Sequence, residues 1–151
     1  MKFLTKTFVA LATVFAVTAA YANPTLSTSY RSDKVVDVEG VEASFQHQVD
    51  NRYTVGANLF GNKDKLVSYG AYLGIPVPTK VTLVTPYLGV EGYRPYRNIT
   101  NDTVAVNLGF KTHTPVTKTV GLTTDVKLVH GTGSRNDLED VSYSVGLYKK
   151  F

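Results

Sequence analysis

The residues most capable of chemistry lie close together near the end of the sequence. His130 and Thr132 are separated by one glycine, and Glu139 and Asp140 follow within ten residues. A histidine base beside a hydroxyl nucleophile, with an acid that orients the imidazole, is an arrangement that cleaves esters. His130 and Thr132, with Glu139 or Asp140 as the acid, are therefore the candidate catalytic residues. The alternative is a histidine that only ends a strand.

Composition excludes several other chemistries. The 151 residues contain no cysteine, which removes disulfides, thiolate metal sites and a cysteine nucleophile. The three histidines are scattered and the acidic residues do not follow the spacing of a Ca²⁺ loop, so we expect no metal site. No motif predicts a cofactor. A formal net charge of +4 provides no concentrated basic face for nucleic acid.

The first 22 residues have the features of a secretory signal peptide. Lys2 and Lys6 precede an uncharged, mostly apolar run from Phe8 to Ala19, and Ala20-Tyr21-Ala22 provides a small-x-small cleavage site. The apolar run is shorter than the about 20 residues that a membrane-spanning helix needs. We therefore predict that residues 1–22 are a signal peptide cleaved after Ala22, and that residues 23–151 are one exported domain.

Residues 23–151 alternate between apolar and small or polar side chains. Val141, Tyr143, Val145 and Leu147 share one parity, while serines, a glycine and Tyr148 occupy the other. Because side chains of a strand point to alternate faces, one face of this segment is apolar. Seven further segments repeat the pattern, and short turns alternate with longer, charged connections. The pattern predicts eight antiparallel up-and-down strands, with short turns at one rim and long loops at the other.

The polar parity carries charges within the strands. Six charged residues occupy it, three of each sign: Arg31, Glu42, Glu91, Lys111, Asp125 and Lys127. Glycine recurs on the same parity, as expected where a narrow barrel needs room inside. Paired charges and glycines suit the lumen of a membrane barrel whose apolar face meets lipid. We therefore interpret residues 23–151 as an eight-stranded antiparallel transmembrane β-barrel with a lumen charge network. A soluble lipocalin-like binding barrel, with its apolar face inward, is the alternative.

These features resemble the small outer-membrane β-barrel proteins of Gram-negative bacteria, a broad group that includes OmpX, the barrel of OmpA and YfaZ-type, porin-like proteins. The segment Thr85–Arg94 and the last strand, which ends on Phe151, carry the resemblance. It implies an outer-membrane location, lipid and lipopolysaccharide as partners, and insertion by the barrel-assembly machinery. The alternate residues Tyr143, Val145, Leu147 and Phe151 are similar to the signal that this machinery reads. A monomer is the expected state.

Aromatic residues predict two girdles at the membrane surfaces. The long-loop girdle is expected to contain Tyr30, Tyr69, Tyr93, Tyr96 and Tyr143, and the short-turn girdle Tyr53, Phe110 and Phe151. Arg94 and Arg97 lie among the tyrosines of the long-loop rim, where guanidinium groups can bind lipid phosphates. They are therefore candidate lipopolysaccharide contacts. Rim residues that only hold the barrel at its depth are the alternative.

Side chains fill the interior of an eight-stranded barrel, which argues against a wide pore. The sequence therefore predicts a non-enzymatic outer-membrane scaffold whose loops serve surface interaction or envelope integrity. A narrow pore for ions or small solutes is one alternative. An enzyme is another, because His130-Gly131-Thr132 resembles the His-x-Ser motif of the outer-membrane lipid A deacylases. Threonine replaces that serine, Gly133 stands where the family has asparagine, and the final strand lacks a carboxylate at the expected place.

Overall fold

The computed structural model describes residues 24–49, 51–63, 65–95, 101–132 and 139–151. The predicted signal peptide, residues 1–22, lies outside this part of the chain. The described residues form one antiparallel sheet. Its strands are β1 (Thr25–Asp33), β2 (Val38–Val49), β3 (Tyr53–Asn62), β4 (Lys65–Gly74), β5 (Val77–Pro78), β6 (Leu83–Tyr93), β7 (Thr103–Pro115), β8 (Val120–Gly131) and β9 (Glu139–Lys150). Within the described ranges, no helix has the length and apolar character needed to cross a membrane.

The sheet closes on itself into a barrel. β4 pairs with β6, and β9 returns to pair with β1 along a seam that runs from Thr25 opposite Lys150 to Asp33 opposite Ser142. β5 is a two-residue strand within the connection from β4 to β6, which the sequence predicts to be a short turn. It pairs with the start of β6. The eight long strands therefore form a closed antiparallel barrel, which confirms the predicted fold. Closure gives each of these strands a hydrogen-bonded partner on both sides.

The two faces of the barrel wall are inverted relative to a protein folded in water. Large apolar side chains point outward and remain more than half exposed, among them Leu73, Leu88, Leu108, Leu128 and Leu147. Serine, threonine, asparagine and charged side chains point inward and are buried. Proteins in water normally bury their apolar side chains and leave charges on the surface. The wall therefore presents its apolar face to the surroundings and its polar face to the lumen.

Interior tyrosines explain why glycine recurs on the inward face. Three rings lie over the glycine directly opposite them on a neighbouring strand: Tyr72 over Gly56, Tyr87 over Gly109, and Tyr148 over Gly121. A Cβ atom at Gly56 would lie 2.1 Å from Cζ of Tyr72, and one at Gly109 would lie 2.6 Å from Cζ of Tyr87. Glycine is therefore needed so that these rings can lie against the wall.

A register shift between β3 and β4 breaks the predicted alternation. Phe60 lies opposite Ser68 but Gly61 lies opposite Leu66, so Val67 is an extra residue in β4. Strict alternation along this segment predicts that Val67 faces outward with Tyr69, but Val67 is fully buried. A bulge of this kind turns one additional side chain toward the interior.

The connection between β1 and β2 also differs from the predicted long loop, Ser32 to Val38. β1 continues to Asp33 and β2 begins at Val38, which leaves four residues between them. Val35 and Val36 turn inward and belong to a buried apolar cluster completed by Val38, Phe60, Val67, Tyr93, Ala105 and Val129. We call these eight residues the apolar cap, because they fill the long-loop end of the barrel.

Candidate functional site

Arg31 lies in the middle of the barrel and has no exposed surface. Its Nη1 donates to Glu42 Oε2 at 2.9 Å and to Glu91 Oε1 at 2.6 Å, while Nη2 pairs with Asp33. Its Nε donates to Ser142 Oγ at 2.8 Å. Three carboxylates thus converge on one guanidinium, whose planar set of five N–H donors is suited to such multiple pairing.

Lys127 is a second cation beside the same carboxylates. Its Nζ donates to Glu91 Oε2 at 2.7 Å and lies 3.7 Å from Glu42 Oε2. Ser68 Oγ also donates to Glu91 Oε1, at 2.5 Å. We call Arg31, Asp33, Glu42, Glu91 and Lys127 the central charge layer. Because its members come from four strands, the layer ties distant parts of the wall together.

Asp33 was missed by the sequence analysis, which assigned it to a loop. It follows Arg31 at the next inward position of β1. Its Oδ1 accepts a hydrogen bond from the Val35 amide at 3.0 Å, and its Oδ2 accepts one from the Tyr93 hydroxyl at 3.1 Å. Asp33 therefore links the central charge layer to the apolar cap. Parity alone could have identified it, had the strand been extended by two residues.

Tyr93 requires a correction. It was predicted to belong to the long-loop girdle, but only 1% of its surface is exposed and its hydroxyl lies inside the barrel. Arg31 Nη2 donates to that hydroxyl at 3.2 Å. Tyr93 shares the inward parity of Glu91, and a buried hydrogen-bond partner holds the hydroxyl there.

A second charge layer lies nearer the short turns. Lys111 Nζ is 3.6 Å from Asp125 Oδ2 and donates to the Tyr72 hydroxyl at 3.4 Å. The Tyr87 hydroxyl donates to Asp125 Oδ1 at 2.8 Å, and the Tyr72 hydroxyl donates to Gln46 Oε1 at 3.0 Å. The six charges predicted for the lumen therefore all face the interior, divided between two layers. The tyrosines that bond the second layer are a feature that the sequence analysis did not foresee.

These layers close the lumen. Solvent reaches no more than 5% of the surface of any of the seven buried charged residues: Arg31, Asp33, Glu42, Glu91, Lys111, Asp125 and Lys127. An aqueous channel through the barrel would wet these side chains on its way past them. In this structure the side chains, together with the apolar cap, occupy the space that a channel would need.

The outer surface of the long-loop rim carries aromatic and charged residues. Tyr30, Tyr69 and Tyr143 are exposed there, and the Tyr30 hydroxyl donates to Glu39 Oε2 at 2.6 Å. Arg94 follows β6 with its side chain 45% exposed, and its Nε lies 3.9 Å from an Asp102 carboxylate oxygen. Tyr96 and Arg97 lie outside the described residues. At the opposite rim, the predicted girdle residues Tyr53, Phe110 and Phe151 are all exposed.

The candidate catalytic residues lie at the long-loop end of β8 and β9. Glu139 is opposite His130 in the strand register. Both the amide and the Oγ1 of Thr132 donate to the Val104 carbonyl oxygen, at 3.0 and 2.9 Å. A nucleophilic hydroxyl must give its proton to a base. The Thr132 hydroxyl donates its hydrogen bond to a backbone carbonyl instead of to a base, so this geometry is not that of an activated nucleophile.

The histidines do not assemble a metal site. His47 and His113 lie toward the short turns, whereas His130 lies at the long-loop end. Across the described ranges, no group of three or more histidine, aspartate or glutamate side chains is placed to hold a metal ion.

The last strand presents its apolar parity outward. Tyr143, Val145 and Leu147 are exposed on the outer face of β9. The Phe151 amide donates to the Pro24 carbonyl oxygen at 3.0 Å, and Lys149 Nζ lies 4.8 Å from the centre of the Phe151 ring. The residues predicted to guide assembly therefore lie together on one outer stripe beside the seam.

Comparison with solved structures shows the same architecture in proteins of unrelated sequence. A de novo designed transmembrane β-barrel matches with a TM-score of 0.58 and 12% identity, over 86% of this chain and 96% of the designed chain. The Yersinia pestis outer membrane protein Ail, solved in a phospholipid nanodisc, matches with a TM-score of 0.58 and 9% identity, over 86% of this chain and 99% of Ail. No protein-family model and no curated protein matches the sequence. At these identities the likeness establishes the fold.

Arg31 offers a direct test of the central charge layer. The Arg31→Met substitution replaces the unbranched stem of arginine with an apolar chain of similar length, but it leaves buried carboxylates without their main cation. We expect it to lower the free energy of unfolding by about 3–5 kcal/mol. Urea denaturation followed by circular dichroism measures the change.

Two further variants make this result specific. Arg94→Gln removes an exposed arginine with one distant partner and should cost no more than about 1 kcal/mol. Adding Asp33→Asn and Glu42→Gln to Arg31→Met should restore part of the lost stability, because it neutralises the carboxylates that have lost their cation and keeps the pair between Lys127 and Glu91. Equal losses for Arg31→Met and Arg94→Gln would contradict a central role for the layer.

Proposed function

We propose that this protein is an integral outer-membrane β-barrel that acts as a closed, non-enzymatic scaffold. The observation that carries the proposal is the inverted wall, with large apolar side chains exposed outside and paired charges buried inside. Exposed leucines and valines around a whole barrel are costly in water but favourable in lipid. A soluble binding barrel needs the opposite distribution, so the wall argues against that alternative.

The two rims differ in a way that supports one orientation. The strand ends near Thr25 and Lys150 lie at the rim of the short turns, together with the turns that follow β2 and β7. Two longer connections, after β6 and β8, lie at the other rim, together with two short ones after β1 and β3. Outer-membrane barrels have short periplasmic turns and longer extracellular loops. In the proposed orientation the apolar cap therefore lies toward the outside of the cell, and the short turns face the periplasm.

The closed lumen favours a scaffold over a narrow pore. The central charge layer and the apolar cap are both shielded from solvent, and Arg31 bonds to groups from several strands around the wall. An ion would have to displace this network in order to pass. We therefore assign the role of the protein to its surface and loops rather than to transport.

The exposed long-loop rim contains residues that could bind partners in such a role. Arg94 lies beside the tyrosines of the long-loop rim, and its only ion pair among the described residues is the distant one with Asp102. We infer that Arg94, with Arg97, contacts lipopolysaccharide phosphates, and that the outer stripe of β9 meets the barrel-assembly machinery during insertion. Both partners fit an apolar barrel bounded by aromatic girdles.

Cell fractionation tests the membrane assignment. We expect the protein in the outer-membrane fraction, and we expect its folded form to migrate differently from the boiled form on a denaturing gel, because closed barrels resist unfolding by detergent at low temperature. A protein recovered in the freely soluble periplasmic fraction, with no shift on boiling, would contradict the proposal.

Planar bilayer recordings distinguish a scaffold from a pore. We expect the reconstituted protein to give no unitary current steps, because buried side chains fill its lumen. A barrel of known conductance, inserted in the same bilayers, serves as the positive control. Reproducible steps from preparations whose folded state has been checked by gel mobility would instead support the narrow pore.

Arginine substitution tests the lipopolysaccharide contact. Replacing Arg94 and Arg97 by glutamine removes two guanidinium donors, so we expect lipopolysaccharide binding to fall by about five- to tenfold. Binding can be measured by titrating labelled lipopolysaccharide into the folded protein. Arg52→Gln, at the exposed turn of the opposite rim, is the matched control and should leave binding unchanged. Unchanged binding in the double variant would remove this role.

A further inference from the structure

The short-turn end of the barrel contains a vestibule that the scaffold role does not use. Its volume is about 480 Å³, within the range of small-molecule sites. Residues of β1, β2, β6, β7 and β9 and of the short turns line it. Whereas the apolar cap closes the long-loop end, this end is open and polar.

The inner surface of the vestibule is built from buried polar side chains. Gln46, His113 and Tyr148 line the cavity, and each is less than 10% exposed. The His113 ring packs edge-on against the Tyr148 ring, with a centroid distance of 4.7 Å and an angle of 82° between the planes. This packing fixes the direction of the imidazole.

His113 has a hydrogen-bonding atom that no described residue satisfies. Its Nδ1 is buried and lacks a partner within the part of the chain that the structure describes. Buried polar atoms nearly always have partners, so a water molecule or a ligand that enters from the vestibule would satisfy this nitrogen.

The charge of the vestibule indicates what that ligand is. Lys80, Lys118 and Lys150 line it, and its described lining residues include no aspartate or glutamate. The buried carboxylate of the second charge layer, Asp125, is already bonded to Lys111 and the Tyr87 hydroxyl. A cleft lined by charges of one sign concentrates ions of the opposite sign.

We propose that the vestibule is a binding site for an oxyanion, the phosphate or carboxylate group of a small molecule at the short-turn side of the barrel. The three lysines supply the positive charge. His113, in the tautomer that carries its proton on Nδ1, donates a hydrogen bond from the inner surface. The site lies apart from the central charge layer and does not depend on the lipopolysaccharide contact, which is at the other rim.

The test uses the full folded barrel in a non-ionic detergent at constant pH. Inorganic phosphate and citrate are titrated separately, and the His113 imidazole resonances are followed by NMR. We expect a saturable shift with at least one of the two anions. A shift with phosphate alone assigns a phosphate site, a shift with citrate alone assigns a carboxylate site, and a shift with neither overturns the proposal.

Charge variants locate the binding. Replacing Lys80 and Lys118 by glutamine should weaken binding about tenfold, because it removes two of the three cations that line the site. Both residues are exposed, so the variant is expected to fold normally. Lys34→Gln with Lys63→Gln, at the long-loop rim, is the matched control and should leave binding unchanged. Equal weakening by the two double variants would overturn the proposal, since the anion would then respond only to total charge.

His113→Phe tests the inner surface of the vestibule, and its anion binding is measured by isothermal titration calorimetry alongside the unmodified protein. The variant keeps a ring but has no nitrogen donor, so affinity should fall by about fivefold. Heat-dependent gel mobility confirms that the variant is folded before it is titrated. Full affinity in the folded variant would show that His113 takes no part in the site, and would overturn its assignment.

Discussion

The pairing of one guanidinium with three carboxylates is the interaction on which the interior of this barrel depends. Burying an ion costs several kcal/mol even after relaxation, and the cost is recovered only when the geometry satisfies every donor and acceptor. Arg31 meets that condition with Glu42, Glu91, Asp33 and Ser142, while its guanidinium carbon lies 4.4 Å from the centre of the Phe60 ring. No neighbouring pair of strands supplies all of these groups. The network therefore forms only when the barrel is closed.

The same constraint explains the tyrosines and glycines. Two charge layers in a narrow lumen leave acceptor oxygens that water cannot reach, and interior hydroxyls provide the missing donors. The Tyr87 hydroxyl donates to Asp125, and the Tyr93 hydroxyl donates to Asp33. A ring can pack flat against the wall only where the residue beneath it has no side chain, as Tyr87 does over Gly109. The charges, the rings and the glycines are thus parts of one packing solution, which an interior of aliphatic side chains would not require.

The sequence predicted the fold because the period of two is a local property that each strand displays by itself. It failed where the outcome depends on contacts between strands. Val67 is an extra residue in β4, and only its pairing with β3 reveals the bulge. The sequence predicts that Val35 and Val36 belong to a long loop, yet they are buried in the apolar cap. Nothing in their local pattern distinguishes these alternatives.

The candidate sites divide in the same way. The six lumen charges could be named from parity, because each lies within a strand whose direction the pattern determines. Asp33 lies at the end of β1, where the boundary assigned from sequence was two residues short. The vestibule could not be foreseen, since His113 and Tyr148 lie on β7 and β9 and meet only when both strands pair with β8. The alternation in the sequence predicts which face of the sheet each residue occupies. The pairing of the strands decides which residues lie in the same layer.

The seam between β1 and β9 has a consequence for folding. It joins strands from opposite ends of the described chain, and the bond from Arg31 to Ser142 spans 111 positions. Contacts this distant in sequence are slow to form, because the entropy of closing so large a loop opposes them. Until that closure occurs, β1 and β9 both have an unpaired edge, and the central charge layer is not enclosed by the barrel. The hairpins in between can form early, but the completed interior must be among the last parts of the molecule to appear.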